Sequence, residues 1–347
     1  MIRFDDYLKE RSKLDRWIKP EHLDTAREYL SSPEAFTRTI DVTINGKLRH
    51  LITYRPNQKG YALRVLHKAF STYLQQRYRP SVASYAYMKK KSIVQCVNKH
   101  MYGTSFFKTD IHAYFDSISE EKMLQRIHRL RRAKGDWENI ELATKACFYE
   151  GRLPVGFITS PVLSDLFLVT LDRKYAKNKK VTYTRYADDF IVSASGEDAQ
   201  KHLVAFRLQL EQDLAELDLE LNRKKTYIRI LSAPGDAIHV LGLNIVRTET
   251  DKNRITISDR YIRKTCLAVC AWLNGDDPGT DPDATFTKVY GQVSFIRQCS
   301  TGSFAKLQRM TRVKCGYNGD WTVNALKDTR KSRSFSEGKQ SKVMSCE

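Results

Sequence analysis

Two short stretches carry carboxylates where a folded chain rarely leaves them without a task. Phe106-Phe107-Lys108-Thr109-Asp110-Ile111 reads as an apolar strand closed by an acid, and His112-Ala113-Tyr114-Phe115-Asp116 follows it. A carboxylate ending a hydrophobic strand is costly unless it is solvated, caps a turn or binds a cation. Taken alone, Asp110 fits a turn residue as well as a ligand. In Tyr183-Thr184-Arg185-Tyr186-Ala187-Asp188-Asp189-Phe190-Ile191-Val192, strand-forming residues flank Ala187-Asp188. That dipeptide fits the turn of a hairpin and puts one acid at the tip with a second beside it. Adjacent acids repel, and divalent cations, which take oxygen ligands, offset the repulsion and suit phosphate chemistry. An ordinary acidic turn competes with this reading. If the two strands pair, however, Asp110 and Asp188 face each other and can share two cations about 4 Å apart. That arrangement activates a 3′-hydroxyl and stabilises a leaving pyrophosphate.

Positioning such acids calls for an α/β middle third, and the periodicity supplies one. Strand 105–111, helix 120–131, helix 161–175, two strands within 181–194, helix 198–217 and strands 226–231 and 239–246 are predicted. Upstream, residues 1–35 read as helix, with Tyr7, Leu8, Leu14, Trp17 and Ile18 at helical spacing. Strands 41–44 and 48–54 then flank Asn45-Gly46, a dipeptide suited to a two-residue hairpin turn, and 62–78 is helical again. Downstream, a loop rich in Gly, Asp and Pro at 275–283 separates helices 260–273 and 286–298. The stretch 327–347 is polar and aperiodic, as expected of a disordered tail.

The chain has 347 residues, 59 Lys or Arg against 40 Asp or Glu, and a formal charge of +19. Its 41% of hydrophobic residues suffices for a sizeable core, which excludes wholesale disorder, and its length argues against a small binding module. Two or three domains, or one enzyme of several subdomains, are expected. A positive surplus of this size draws in polyanions, nucleic acid first and an anionic membrane second. Residues 42–109 hold thirteen Lys or Arg and no Asp or Glu, which points to a polyanion-binding surface. Tyr54, Tyr61, Tyr78, Tyr85 and Tyr87 lie among those charges and fit either base stacking or a core. No run of eighteen apolar residues occurs and the N-terminus is charged throughout, so a soluble, cytoplasmic protein is expected. Seven cysteines without a CxxC pair suggest neither a disulfide framework nor a zinc ribbon, and Cys266 and Cys270 read as core positions.

Asp110-Ile111 with Phe115-Asp116 resembles motif A of reverse transcriptases, and Tyr186-Ala187-Asp188-Asp189 resembles their motif C. Leu153-Pro154-Val155-Gly156-Phe157-Ile158-Thr159-Ser160-Pro161 resembles motif B, usually LPQGxxxSP, with Val155 where Gln is common. Physically it is a Gly loop leading to a helix, with Ser160 as N-cap and Pro161 at N1. Leu221-Asn222-Arg223-Lys224-Lys225-Thr226 resembles motif D, and His239-Val240-Leu241-Gly242-Leu243 resembles the primer-grip strand pair. Val289-Tyr290-Gly291-Gln292-Val293-Ser294-Phe295-Ile296-Arg297 resembles a thumb helix. The likeness runs from about residue 40 to 310.

That resemblance implies an α+β right-hand polymerase whose antiparallel palm sheet carries the YxDD hairpin. It divides the chain into an N-terminal helical extension (1–40), part of the fingers (41–104), palm motif A (105–120) and a fingers/palm insertion (121–152). Palm motifs B to E (153–250), a thumb (251–326) and a basic tail (327–347) complete it. Asp110, Asp188, Asp189 and Lys225 are implied as catalytic, with Lys225 the proton donor to pyrophosphate or, alternatively, a solvated lysine. Asp110, Ile111, Asp188 and Asp189 are implied as the metal positions for two Mg ions, with Mn as a substitute. Lys47, Arg49, Phe115, Val155 and Gly156 would meet the nucleotide, with Phe115 beneath the sugar where it clashes with a 2′-hydroxyl. Arg55, Arg64, Lys89, Lys90, Lys91 and Gly242 would meet nucleic acid.

Ser92-Ile93 through His100 is similar to the SIxxNAxxH segment of retron enzymes, with Cys96-Val97 for Asn-Ala, but their thumb VTGL is missing. Diversity-generating enzymes usually carry SQ where this chain has Ser160-Pro161. The length leaves no room for an RNase H, a DNA endonuclease or a large maturase extension. By elimination the chain resembles the defence-associated, "unknown group" bacterial enzymes, with retron enzymes second. The implied partners are a structured noncoding RNA template, a DNA product or primer and deoxynucleoside triphosphates, without a membrane; a homo-oligomer is left open. Protection against phage is the implied biology. The alternatives are a retron enzyme making RNA-linked single-stranded DNA, untemplated or protein-primed synthesis, and an RNA-binding protein that kept the fold without the chemistry.

Overall fold

The computed structural model describes residues 3–14, 19, 21–44, 46–130, 137–275, 282–315 and 326. Met1–Ile230 and Leu231–Glu347 form two compact units. In the first unit, helices α1 (Phe4–Leu14) and α2 (His22–Ser31) bury Phe4, Tyr7, Leu8, Leu23 and Tyr29. They stand where one helical stretch was expected; Trp17 and Ile18 lie outside the described residues. Strands β1 (Thr37–Ile44) and β2 (Lys47–Tyr54) pair antiparallel from Thr37↔Tyr54 to Ile44↔Lys47, a longer hairpin than expected. Gly46 takes a φ of +76° in its turn, as a two-residue hairpin requires; Asn45 lies outside the described residues. Helix α3 (Gln58–Arg77) starts where the Asn57 side chain accepts the Gly60 N–H at 2.8 Å. Helix α4 (Ile93–Asn98) opens on a capping box between Ser92 and Gln95.

Strand β3 (Ser105–Asp110) leads into the single turn α5 (Tyr114–Ser117), then α6 (Glu120–Leu130), α7 (Trp137–Lys145) and α8 (Ser160–Tyr175). The hairpin β4 (Thr182–Tyr186) and β5 (Asp189–Ala194), helix α9 (Ala199–Ala215) and strand β6 (Tyr227–Ile230) complete the unit. All neighbours in the sheet β4-β5-β3-β6 are antiparallel. Its central strands β3 and β5 are buried almost throughout, which is why they read as continuous apolar runs rather than alternating ones. Helix α9 packs on β3 and β5, with the Phe206 ring 6.4 Å from that of Phe107. Phe107, Phe167, Phe190, Val192 and Leu210 share one core.

The start of α8 corrects one expectation. Ser160 is the first helical residue rather than the N-cap, and Thr159 before it caps nothing with its side chain. The Ser160 hydroxyl turns back instead and donates to the Pro154 carbonyl at 2.5 Å, so the side chain closes the loop that precedes the helix.

In the second unit, β7 (Ala237–Val240), β8 (Leu243–Val246) and β9 (Arg254–Ile257) form a three-stranded antiparallel sheet. The 239–246 stretch therefore folds as a hairpin about Leu241-Gly242, both at positive φ (51° and 81°). Helices α10 (Asp259–Asn274), α11 (Pro282–Cys299) and α12 (Thr301–Cys315) bury Cys266, Val269, Trp272, Val293, Ile296 and Leu307. Cys266 is thus a core residue and Cys270 is half-buried. The 276–281 part of the expected loop and the 327–347 tail lie outside the described residues. No helix among the described residues is long and apolar enough to cross a membrane.

Candidate active site

The register of β3 against β5 sets Asp110 opposite Asp189, and β4 against β5 sets Tyr186 opposite Asp189. Ala187 and Asp188 are left as the two turn residues. The Ile111 N–H donates to the Asp188 carbonyl at 3.2 Å, and the Asn222 N–H donates to the Asp110 carbonyl at 2.8 Å. Three acids and the stretch leading to Lys225 therefore meet at one end of the sheet. The Lys225 ammonium forms an ion pair with Asp110 Oδ2, while the Lys225 side chain is 58% exposed and that of Asp110 only 5%.

Electrostatics at this end is unbalanced. Burial raises the Asp188 carboxyl above the ordinary range, helped by repulsion from Asp110 and opposed by its own backbone N–H, by Lys225 and by Arg49. Burial also lifts Asp189 to about 6, reinforced by Asp188 and Asp110 and opposed by Lys108 and Lys225. Hydrogen bonding to Asp110 holds the Lys225 ammonium above its usual range. Asp110 Oδ1 is buried without a hydrogen-bond partner, a costly state for a carboxylate oxygen. A cation would satisfy it and relieve the repulsion, so the residues present fit a divalent ion. Among the described residues no three acidic, histidine or cysteine side chains are grouped so as to hold an ion by themselves, so an ion here would need ligands from outside the chain. Mg sites are commonly built in that open way, from one or two carboxylates completed by water and substrate phosphates.

The Gly156 loop is fastened to β2. A Cβ on Gly156 would lie 2.0 Å from the Ile52 carbonyl oxygen, so only glycine fits without backbone movement. Tyr54 stacks on Phe157 at 5.2 Å, and its hydroxyl accepts the Ile158 N–H at 3.1 Å. The same hydroxyl donates to His67 Nδ1 at 2.8 Å, because His67 Nε2 must donate to the Ala146 carbonyl at 2.9 Å. Burial holds His67 neutral, its pKa pushed down to about 3. Tyr54 and the buried Tyr85 are therefore structural, and Tyr78 is half-buried. Tyr61 and Tyr87 are 48% and 43% exposed. An open groove of about 720 Å³ lies between this loop and the start of α3, lined by Arg55, Tyr61, Arg64, Gly156 and Ile158 among others.

The other expected residues divide in the same way. Arg49 is exposed on β2 and its charge reaches Asp188; the Lys47 side chain lies outside what is described. Phe115 is half-buried against the core, beside Tyr114 at 5.7 Å between rings, and Val155 is exposed. Ile111 is buried beside Asp110. Arg55, Arg64, Lys89 and Lys90 are exposed, and Gly242 is the open hairpin turn of the second unit. Lys91 departs from expectation. Its ammonium donates to the carbonyls of Ser81, Val82 and Ser84, so its donors hold the 81–84 loop rather than reach for a phosphate.

Sequence reasoning missed the groups behind the hairpin. Arg185 is wholly buried, paired with Asp165 at 2.8 Å and Asp172 at 2.5 Å, both on α8. The signal was present: two acids seven residues apart on one face of an apolar helix require a buried cation. In the sequence His100 stands only at the end of the 92–100 segment. It is buried, with its two ring nitrogens hydrogen-bonded to Ser193 and Thr184 at 2.8 and 2.7 Å, and burial pushes its pKa down to about 3.

Residues 45–245 match the family described as Reverse transcriptase (RNA-dependent DNA polymerase). The retron Ec73 reverse transcriptase of Escherichia coli is 28% identical over 252 residues, 65% of this chain and 73% of that protein. The retron Ec86 reverse transcriptase of the same organism is 30% identical over 167 residues, 47% of this chain and 49% of that protein. Among solved structures, apo telomerase from Candida tropicalis superposes with a TM-score of 0.49 and 11% identity, covering 80% of this chain and 58% of that one. The chain thus spans about half of the Ec86 protein and less than two thirds of the telomerase.

The raised Asp189 gives a stability test. The folded chain holds this proton more tightly than the unfolded chain, so the ionised form destabilises fully above pH 6 and the penalty fades as pH falls towards the ordinary carboxylate range. Asp189→Asn is expected to stabilise the first unit by about 1–3 kcal/mol at pH 8 in EDTA, and by little near pH 4. Urea melts at the two pH values check this; a variant no more stable than wild type at pH 8 contradicts it.

Proposed function

The chain belongs to the reverse transcriptase family, RNA-dependent DNA polymerases of the right-hand fold, since the match covers more than half of its length. On that premise we propose that it copies a cognate structured noncoding RNA into DNA with the help of two divalent cations. The observation that carries this reading is the β3–β5 register, which gathers Asp110, Asp188 and Asp189 at one sheet end, with an orphaned carboxylate oxygen on Asp110. Fingers at 41–104, a palm at 105–120 and 153–250 with an insertion at 121–152, and a thumb at 251–326 are the corresponding assignments.

Asp110 and Asp188 would hold the cations, with Asp189 and the Ile111 peptide as the neighbouring oxygen groups. When bound, the cations polarise a 3′-hydroxyl and neutralise charge on the leaving pyrophosphate. The chain's own groups do the rest. Arg49 and Lys47 draw the triphosphate towards the acids by charge. Phe115 stands beneath the sugar and excludes a 2′-hydroxyl. Gly156, held on the Ile52 carbonyl, fixes the loop on which the incoming pair rests, next to Val155. Lys225 neutralises Asp110 before substrate arrives; its exposed side chain is free to swing from that carboxylate and protonate the pyrophosphate.

Similarity to the two retron enzymes favours the retron type within the family. For that type the proposed product is single-stranded DNA joined to its RNA, and defence against phage is the proposed biological setting. Untemplated or protein-primed synthesis would leave DNA without an RNA-derived sequence or attached to a side chain.

Asp188→Ala is expected to abolish deoxynucleotide incorporation on the copurifying RNA while RNA affinity stays within about threefold, because the carboxylate acts on the transition state rather than on ground-state binding. Undiminished synthesis by that variant rejects the site. Phe115→Ala is expected to raise ribonucleotide use relative to deoxynucleotide by about tenfold or more in primer extension. An unchanged ratio removes the sugar-sensing role.

A further inference from the structure

Arg185 stands next to last in β4, just before the acidic turn, and its guanidinium is spent on directed contacts. Nε donates to Asp172 Oδ1 at 2.9 Å, Nη2 to Asp172 Oδ2 at 2.5 Å and to Asp165 Oδ1 at 2.8 Å, and Nη1 to the Ala187 carbonyl at 2.8 Å. The Tyr183 hydroxyl donates to Asp172 at 2.6 Å and the Ser84 hydroxyl to Asp165. The Arg185 backbone also pairs with the 83–85 segment, its N–H on the Ala83 carbonyl and its carbonyl on the Tyr85 N–H, each at 2.9 Å. Lys91 fastens that segment from below and its charge faces the same two acids. Two acids and two cations thus balance behind the turn.

A buried ion cluster is a poor stability device, because desolvation offsets most of its attraction. What the guanidinium adds over an apolar side chain is aim. Ala187 has a φ of +57°, a left-handed conformation that its Cβ disfavours by about 1–2 kcal/mol and that usually falls to Gly or Asn. Strain of this kind persists only where surrounding contacts over-determine it. The Nη1 bond to Ala187 is such a contact, and the next residue is Asp188.

We propose that Arg185 is a positioning residue of the polymerase site: it holds the Ala187-Asp188 turn in its strained form and ties it, through Asp165 and Asp172, to the helix that follows the Gly156 loop. The inference rests on Asp188 acting in catalysis. Arg185 touches no substrate. Its effect on the reaction passes through the carbonyl of the residue before the acid, and the turn's other tether is the Ile111 N–H on the Asp188 carbonyl.

Two variants of the full chain test this. Arg185→Lys keeps the charge but loses the forked reach. The double variant Arg185→Gln with Asp172→Asn keeps the cluster near neutrality, which guards against unfolding. In either, exchange of the Ile111 amide is expected to quicken about tenfold while the Phe107 amide in mid-strand is unchanged. The kcat for deoxynucleotide addition is expected to fall about thirtyfold, with KM for the nucleotide within about threefold. A purely structural role would instead speed exchange across the whole of β3. Folded variants with wild-type kcat, or uniform loss of protection, or failure of both variants to fold, overturn the assignment. Asp188→Ala separates the two readings: if that variant still synthesises DNA, the site itself is wrong, whereas an inactive Asp188→Ala beside a fully active Arg185→Lys rejects only the positioning role.

Discussion

Antiparallel pairing of β3 with β5, in the one register that puts Asp110 across from Asp189, is the constraint on which the site depends. A slip of one residue would turn every side chain of β3 to the opposite face and bury Lys108 where Phe107 now packs. The hydrophobic runs on both strands resist that slip, since Phe106, Phe107, Phe190, Ile191 and Val192 are all fully buried. Core packing and acid placement are therefore one decision. The same strands that exclude water carry carboxylates to the edge of the region they dry.

The cost of that placement appears in the electrostatics. Asp188 and Asp189 are raised first by burial, with repulsion from Asp110 acting on both and that of Asp188 on Asp189; Asp110 keeps an unpaired buried oxygen, and the charges of Lys225, Arg49 and Lys108, with the Asp188 backbone N–H, offset only part of this. Like charges held together in a partly dry site favour binding of cations. Lys225 is the counter-ion present at Asp110, held there by a side chain that is itself largely exposed. Behind the turn the opposite principle holds: Arg185, Asp165, Asp172 and Lys91 are matched in charge and saturated with hydrogen bonds. A satisfied network supports a frustrated one.

Local chemistry made the acids legible in the sequence. A two-residue turn between apolar strands and an acid at a strand end are short-range patterns, as is the Asn45-Gly46 hairpin. Long-range decisions were not legible. Ser160 before Pro161 reads as a helix cap by local preference, but its hydroxyl is claimed by Pro154 across the loop. Lys91 looks like its neighbours Lys89 and Lys90 in a basic run, and only the fold turns it inward onto three carbonyls. Tyr54 and Tyr61 are alike in sequence context, yet one is consumed by Ile158 and His67 and the other is exposed. Strand β9 and helices α4, α5, α7 and α12 were not foreseen; α4, α5 and β9 are too short for periodicity to register.

The most direct test is the position of the ions themselves. Crystals of the enzyme with an RNA template, a DNA primer and a non-hydrolysable deoxynucleotide, grown with Mn, would locate them by anomalous scattering. Two peaks shared between the Asp110 and Asp188 carboxylates and the nucleotide phosphates are the expected result. Peaks elsewhere, or an ordered nucleotide with Lys225 still seated on Asp110 and no ion between the acids, would contradict it.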